Sequence, residues 1–218
     1  MDVEVVPNGM LAARAAVWVA DRVWTAVALR GVAHVAVSGG STPAAMFTVL
    51  CSLPLPWADV HVWQVDERVA PDGDADRNAN QLTGFTAVGA TVHLMDVTAP
   101  ELAAAASHFA SSLPDAFDVV HLGLGDDGHT ASWPPGDAVW RTASPAQPDV
   151  AVVGPFNGHM RLTITPPIVD RARATMFLVG GAAKAEMVRR LISGDDTIPA
   201  SRVHGPVTLL TDPAASGN

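Results

Sequence analysis

Apolar positions recur along this chain with two different spacings, and the alternation between them predicts an α/β architecture. Met10, Val17 and Trp24 return every seven residues with Leu11 and Trp18 beside them, which predicts one apolar stripe on a helix over residues 8–30, ended by Gly31. Largely apolar runs at 32–37, 60–65, 117–124 and 175–179 predict buried strands, and shorter runs at 91–94, 150–153, 161–165 and 207–210 predict further ones. Apolar or alanine-rich stretches at 44–50, 101–113 and 182–193 predict helices between them, the first with Thr42 as N-cap and Pro43 at the first helical position. The polar stretch 72–80 is expected to be a loop, and the tail 212–218 to fray. Strands alternating with helices imply a mostly parallel sheet with helices on both faces, Rossmann-like, in a single domain over residues 1–218.

Composition narrows the chemistry. The chain carries 13 Lys and Arg against 22 Asp and Glu, a net charge of -9, which disfavours nucleic acid and anionic membranes as partners. An anionic substrate would need cations gathered locally. Arg14, Asp21 and Arg22 interrupt the apolar stretch 10–29, which therefore reads as a helix outside the membrane. The chain start does not resemble a signal peptide, and Cys51 is the single cysteine, so no internal disulfide can form; both fit the cytoplasm. A buried spectator thiol is the expectation for Cys51.

In a parallel sheet, ligands bind beyond the carboxyl ends of the strands, and three polar clusters fall at such positions: 38–42, 66–68 and 127–129. Gly39 and Gly40 allow a sharp turn that presents amide N–H groups at a helix N-terminus, where Ser41 and Thr42 add hydroxyls; a phosphate cradle and a plain capped turn explain this equally well. Lys184 stands in the first turn after Gly180-Gly181, an electrostatically poor place for a cation unless an anion sits nearby. His129 lies past a strand end in a loop that Gly125 and Gly128 can tighten, with Asp127 two positions earlier: either a general base near neutral pH or an ordinary loop histidine. Asp66-Glu67-Arg68 reads either as a salt-bridged turn or as a substrate-orienting acid beside a cation. His34, His61, His93, His108 and His121 are expected to pack. No H-E-x-x-H or cysteine pair suggests a metal, and no G-x-S-x-G elbow suggests a serine nucleophile, so attack by activated water without metal or cofactor is the expectation.

Together the blocks Ser38-Gly39-Gly40-Ser41-Thr42-Pro43, Asp66-Glu67-Arg68, Leu122-Gly123-Leu124-Gly125-Asp126-Asp127-Gly128-His129-Thr130-Ala131-Ser132, Arg161-Leu162-Thr163-Ile164-Thr165, the turn from Gly181 to Lys184 and Ile198-Pro199-Ala200-Ser201 resemble the 6-phosphogluconolactonases, relatives of the glucosamine-6-phosphate isomerase/deaminases. The resemblance runs from about residue 38 to 211. It implies that His129 deprotonates the water attacking a phosphorylated sugar lactone, with Asp127 positioning it and Asp66 orienting substrate or water. It also implies that Gly39, Gly40, Ser41, Arg161 and Lys184 hold the phosphate, with Arg68 on phosphate or sugar oxygens. The partner is then a small-molecule lactone, and the protein a monomer or small homo-oligomer. Trp133-Pro134-Pro135 departs from the family pattern, the stretch 77–84 matches it poorly, and Asp170 stands where Asn is common, so Asn78, Asn80 and Asp170 receive no role.

Two rivals share parts of this pattern. The isomerase/deaminases use an aspartate equivalent to Asp66 for proton transfer at carbon, but they also carry a Glu after the D-G-H block, where this chain has Trp133-Pro134-Pro135. A non-catalytic sugar-phosphate sensor would be expected to have lost His129 or to carry an output domain.

Overall fold

The computed structural model describes residues 1–7, 9–141 and 147–217. Ten strands are described: β1 (Asp2–Val5), β2 (Ala33–Val37), β3 (Val60–Gln64), β4 (Asp66–Arg68), β5 (Thr91–His93), β6 (Val119–Leu122), β7 (Val150–Phe156), β8 (His159–Ile164), β9 (Thr175–Val179) and β10 (Val207–Thr211). Seven form a parallel sheet in the order β1-β10-β9-β6-β2-β3-β5, and β4-β8-β7 make a small antiparallel sheet beside it. Helices α1 (Leu11–Arg30), α2 (Ser41–Ser52) and α3 (Thr83–Ala87) cover one face; α4 (Leu102–Ser112), α5 (Ala138–Arg141), α6 (Pro166–Asp170), α7 (Ala185–Ile192) and α8 (Pro213–Ser216) pack into the core of the other.

The long helix runs from Leu11, and the expected start at Asn8 lies outside the described residues. Its seven-residue stripe faces outward: Met10, Val17 and Trp24 are 56%, 45% and 51% exposed. The buried face is instead Ala15, Ala16, Trp18, Val19, Ala20, Val23 and Ala26. Four alanines there let the helix backbone approach the sheet closely, and dense packing rewards that more than burying larger side chains at a greater separation. Gly31 closes the helix in the left-handed region at φ 76°, its N–H donating to Val27 O.

Residues 150–156 and 159–164 do not join the main sheet. They form a hairpin whose Asn157 and Gly158 both have positive φ, 47° and 82°, the pair that a tight two-residue turn requires. Asp66, Glu67 and Arg68 pair across from Thr163, Leu162 and Arg161, so the polar cluster is a strand and not a strand-end turn. The expected loop ends in a 3-10 turn, Asn78–Leu82, leading into α3. The tail is ordered into α8 because the Asp212 carboxylate accepts the N–H of Ala215, and it also takes the N–H of Gly181. Asn218 lies outside the described residues. Of the histidines expected to pack, His34, His61, His93 and His121 do, whereas His108 is on an exposed face of α4; Cys51 is half-buried.

Candidate active site

Strand order fixes where a ligand can go. From β2 the chain moves through α2 to β3 on one side, while β6 on the other side leads away toward β9 and β10. The crevice between the carboxyl ends of β2 and β6 is therefore the topological switch point of the sheet. A cavity of about 280 Å³ opens there, and its wall includes Gly39, Gly40, Ser41, Asp66, Arg68, His129, Arg161 and Lys184. Every residue expected from the sequence to touch a ligand is thus brought together; Asp127 alone stands behind the wall.

The loop after β6 is shaped to aim the imidazole. Gly125 N–H donates to His129 O at 2.8 Å and Gly128 N–H to Gly125 O at 3.1 Å, which folds the loop into a tight turn. A Cβ on Gly125 would lie 2.0 Å from His129 Nδ1, so only glycine leaves room for the ring. One Asp127 oxygen, Oδ1, accepts both the His129 backbone N–H at 3.0 Å and the ring Nδ1 at 2.5 Å. A carboxylate accepts and does not donate, so the neutral imidazole carries its proton on Nδ1 and leaves Nε2 as a free base. Partial burial works against ionisation of Asp127, but the His129 hydrogen bonds and charge outweigh it and hold that carboxyl below its usual range. The edge of the His129 ring meets Phe156 with centroids 5.0 Å apart, fixing it from the hairpin side.

Asp66 is 5% exposed on the cavity wall. Ser132 Oγ donates to its Oδ2 at 2.7 Å, Arg161 Nη1 stands 3.7 Å from the same oxygen, and Asn78 Nδ2 lies 3.4 Å from Oδ1. Burial raises its pKa, against the opposing effects of the Ser132 bond and the charges of Arg68 and Arg161. Arg161 is nearly buried as well; desolvation lowers its pKa, with Asp66 opposing. Its Nε donates to Phe156 O at 3.1 Å, and its guanidinium lies 5.1 Å from the Phe156 ring centre. Arg68 gives Nη1 to Asp76 O at 2.6 Å, so only part of its guanidinium is left for a ligand.

Glu67 does not line the cavity but organises its wall. Wholly buried, it accepts Gln64 Nε2 at 2.7 Å and the backbone N–H groups of Arg68, Asn78 and Ala79 at 2.8, 2.8 and 2.9 Å. Arg77 Nε stands 3.2 Å from Oε2, at ion-pair distance although its N–H is not aimed along that line. This pins Asn78 in the wall, where its Nδ2 donates to Asp66 O at 2.9 Å. The sequence reading assigned Asn78 nothing, and no local pattern announces it. Asn80 serves the neighbouring turn through Asp74 O, and Asp170 receives the His204 N–H, away from the cavity.

At the other end, α2 begins two residues earlier than expected. Gly40 is its N-cap at φ 132°, a conformation that disfavours any side chain, so Thr42 and Pro43 fall inside the first turn and no side chain caps the helix. The Gly40 N–H is not free for a ligand, because it donates to Gln81 Oε1 at 3.0 Å. The amides of Ser41 and Thr42 belong to the first turn, which has no intrahelical acceptors for them. Gly39 is required by packing, since a Cβ would fall 2.1 Å from Asn78 Oδ1. Across the cavity Lys184 projects from the turn Ala182–Lys184 and pairs with Asp126, Nζ to Oδ1 2.6 Å. Among the described residues, no group of three His, Cys, Asp or Glu stands together that could hold a metal ion, and no helix is long and apolar enough to cross a membrane.

Residues 8–210 match the family described as glucosamine-6-phosphate isomerases/6-phosphogluconolactonase. A 6-phosphogluconolactonase of Synechocystis sp. is 35% identical over 80% of this chain and 78% of its own, and one of Mesorhizobium japonicum is 40% identical over 74% and 73%. The crystal structure of a 6-phosphogluconolactonase from Shewanella baltica superposes with a TM-score of 0.85 at 28% identity, covering 97% of this chain and 96% of that one. A monomeric glucosamine-6-phosphate deaminase has a TM-score of 0.86 at 22% identity, covering 100% and 99%, and shares the fold.

Proposed function

The chain belongs to the family of glucosamine-6-phosphate isomerases and 6-phosphogluconolactonases, and from that premise we propose that it hydrolyses 6-phospho-D-glucono-1,5-lactone to 6-phospho-D-gluconate with His129 as general base. The observation that carries the reading is the cavity itself: an imidazole held with Nε2 free lines the same cavity as Ser41 and Lys184, a helix start and a cation suited to a phosphate.

The steps follow from the geometry. Nε2 of His129 takes a proton as water attacks the lactone carbonyl, and the imidazolium so formed is stabilised by the Asp127 carboxylate on Nδ1. Collapse of the tetrahedral adduct breaks the bond between the carbonyl carbon and the ring oxygen. The imidazolium returns its proton to that oxygen, and the site is neutral-imidazole again. Such proton transfer contributes about 10²–10⁴-fold to rate. Ser41, the first-turn amides and Lys184 grip the phosphate, and a grip far from the reacting carbon holds the ring in register. The buried Asp66 carboxylate and the guanidinium of Arg161 face the cavity beside Arg68 and suit the ring hydroxyls, so Arg161, which the family resemblance assigns to the phosphate, is read here on the sugar side with Asp66. Asp126 holds Lys184 until phosphate displaces it. With a single thiol at Cys51, the chain fits a reducing compartment, and the reading puts its work in the cytoplasm.

Two assays run side by side test the class. Freshly made 6-phosphogluconolactone should be consumed well above its spontaneous rate, while fructose 6-phosphate with ammonium should not react. The reverse result would make the protein an isomerase/deaminase.

A further inference from the structure

Ser132 is fully buried and absent from the cavity wall, yet it touches two groups that form that wall. Its Oγ lies 2.7 Å from Asp66 Oδ2 and 3.4 Å from Arg161 Nη1. Its own N–H donates to Thr163 Oγ1 at 3.2 Å, which ties the residue to the carboxyl end of β8. The direction of this chain of bonds is forced. An arginine can only donate, so the Ser132 oxygen accepts from Arg161 and its single proton is left for Asp66. Asp66 Oδ2 must then accept.

We propose that Ser132 is a positioning residue for Asp66: its hydroxyl, oriented by Arg161, donates to Oδ2 and so favours the ionised carboxylate, which meets a sugar hydroxyl as a hydrogen-bond acceptor. The lactonase reading enters only through the identity of that hydroxyl; the relay itself stands on the bonds within the protein. The surroundings pull Asp66 in both directions. Asp66 faces Glu67 and Arg68 from its own strand, Arg161 from β8 and the neutral Asn78 from the turn after β4; His129, Asp126 and Lys184 line the same cavity. Burial favours the neutral carboxyl, and among the opposing influences the Ser132 bond comes first, ahead of both arginines. Without it, Asp66 would hold a proton to higher pH and could turn a donor toward the ring.

The test titrates Asp66 directly, by carbon NMR of protein labelled at aspartate carboxyls, with the resonance assigned by its loss in Asp66→Asn. In Ser132→Ala, a smaller residue that the site can hold, the midpoint should rise by roughly one pH unit or more, and Ser132→Thr, which keeps a hydroxyl, should restore it. The acid limb of kcat/KM for the lactone should move with the midpoint, lowering the rate roughly tenfold in that window. An unchanged Asp66 midpoint in Ser132→Ala overturns the relay, whatever happens to the rate. A raised midpoint in an enzyme whose wild type does not turn over the lactone supports the relay and rejects the lactonase reading.

Discussion

A Cβ on Gly125 would sit 2.0 Å from Nδ1 of His129, so the backbone of one residue sets the position of the other's ring. Gly125→Ala should therefore displace the imidazole while leaving the fold standing, because the loop is at the surface of the sheet's carboxyl edge. A loss of about 10²-fold in kcat, with a thermal midpoint within a few degrees of wild type, is expected from kinetics and circular dichroism.

Asp127→Asn keeps an oxygen that can accept from Nδ1 but removes the charge that steadies the imidazolium. The expected result is a fall in kcat of roughly ten- to a hundredfold with little change in KM, measured by initial rates on the lactone. A change confined to KM would place Asp127 in substrate binding.

The phosphate end is tested by inorganic phosphate as a competitive inhibitor. Lys184→Ala should weaken that inhibition and raise KM roughly tenfold with kcat nearly kept, because it removes a cation from the grip. Asp126→Asn frees the same cation from its 2.6 Å partner and should act in the opposite direction, lowering KM modestly. Equal inhibition of all three proteins would remove Lys184 from the phosphate site.

Stability should fall on acidification for reasons unrelated to catalysis. His121 is buried with neither ring nitrogen bonded, and burial lowers its pKa to about 3; burial followed by the neighbouring His61 and His34 lowers that of His93 to about 4. Both folded values lie below the unfolded one of about 6.5, so the unfolded chain binds more protons in between. Full stability is present above about pH 6.5 and is lost as pH falls toward those folded values, by up to about 1.4 kcal/mol per pH unit for His121. Thermal melts from pH 7 to pH 5 should show this decline, and His121→Phe should flatten it.

Much of this site was readable in the sequence because its parts are local. Short apolar runs mark β2, β6 and β9, and the glycines after them mark where the chain must turn, so Ser41, His129 and Lys184 could be placed at one edge of a sheet. Long-range relations were not readable. The pairing of Asp66–Arg68 with β8 is an antiparallel register between segments nearly a hundred residues apart, and nothing near either announces it. Asn78 and Ser132 matter through that register, Asn78 because Glu67 pins its backbone and Ser132 because β8 carries Thr163 and Arg161 to it. Asn157-Gly158, between the runs at 150–153 and 161–165, did carry a hairpin signal that the reading of alternating strands and helices passed over. On α1 the seven-residue period misled, since small residues and not large ones mark the face that packs closest.

The central claim is that Nε2 of His129 takes the proton from the attacking water. The most direct measurement is kcat on 6-phosphogluconolactone for His129→Ala against wild type, with folding checked by thermal melting. The account predicts a loss of about 10²–10⁴-fold with KM nearly unchanged, since the phosphate grip is intact. A folded His129→Ala protein that hydrolyses the lactone at the wild-type rate would contradict it.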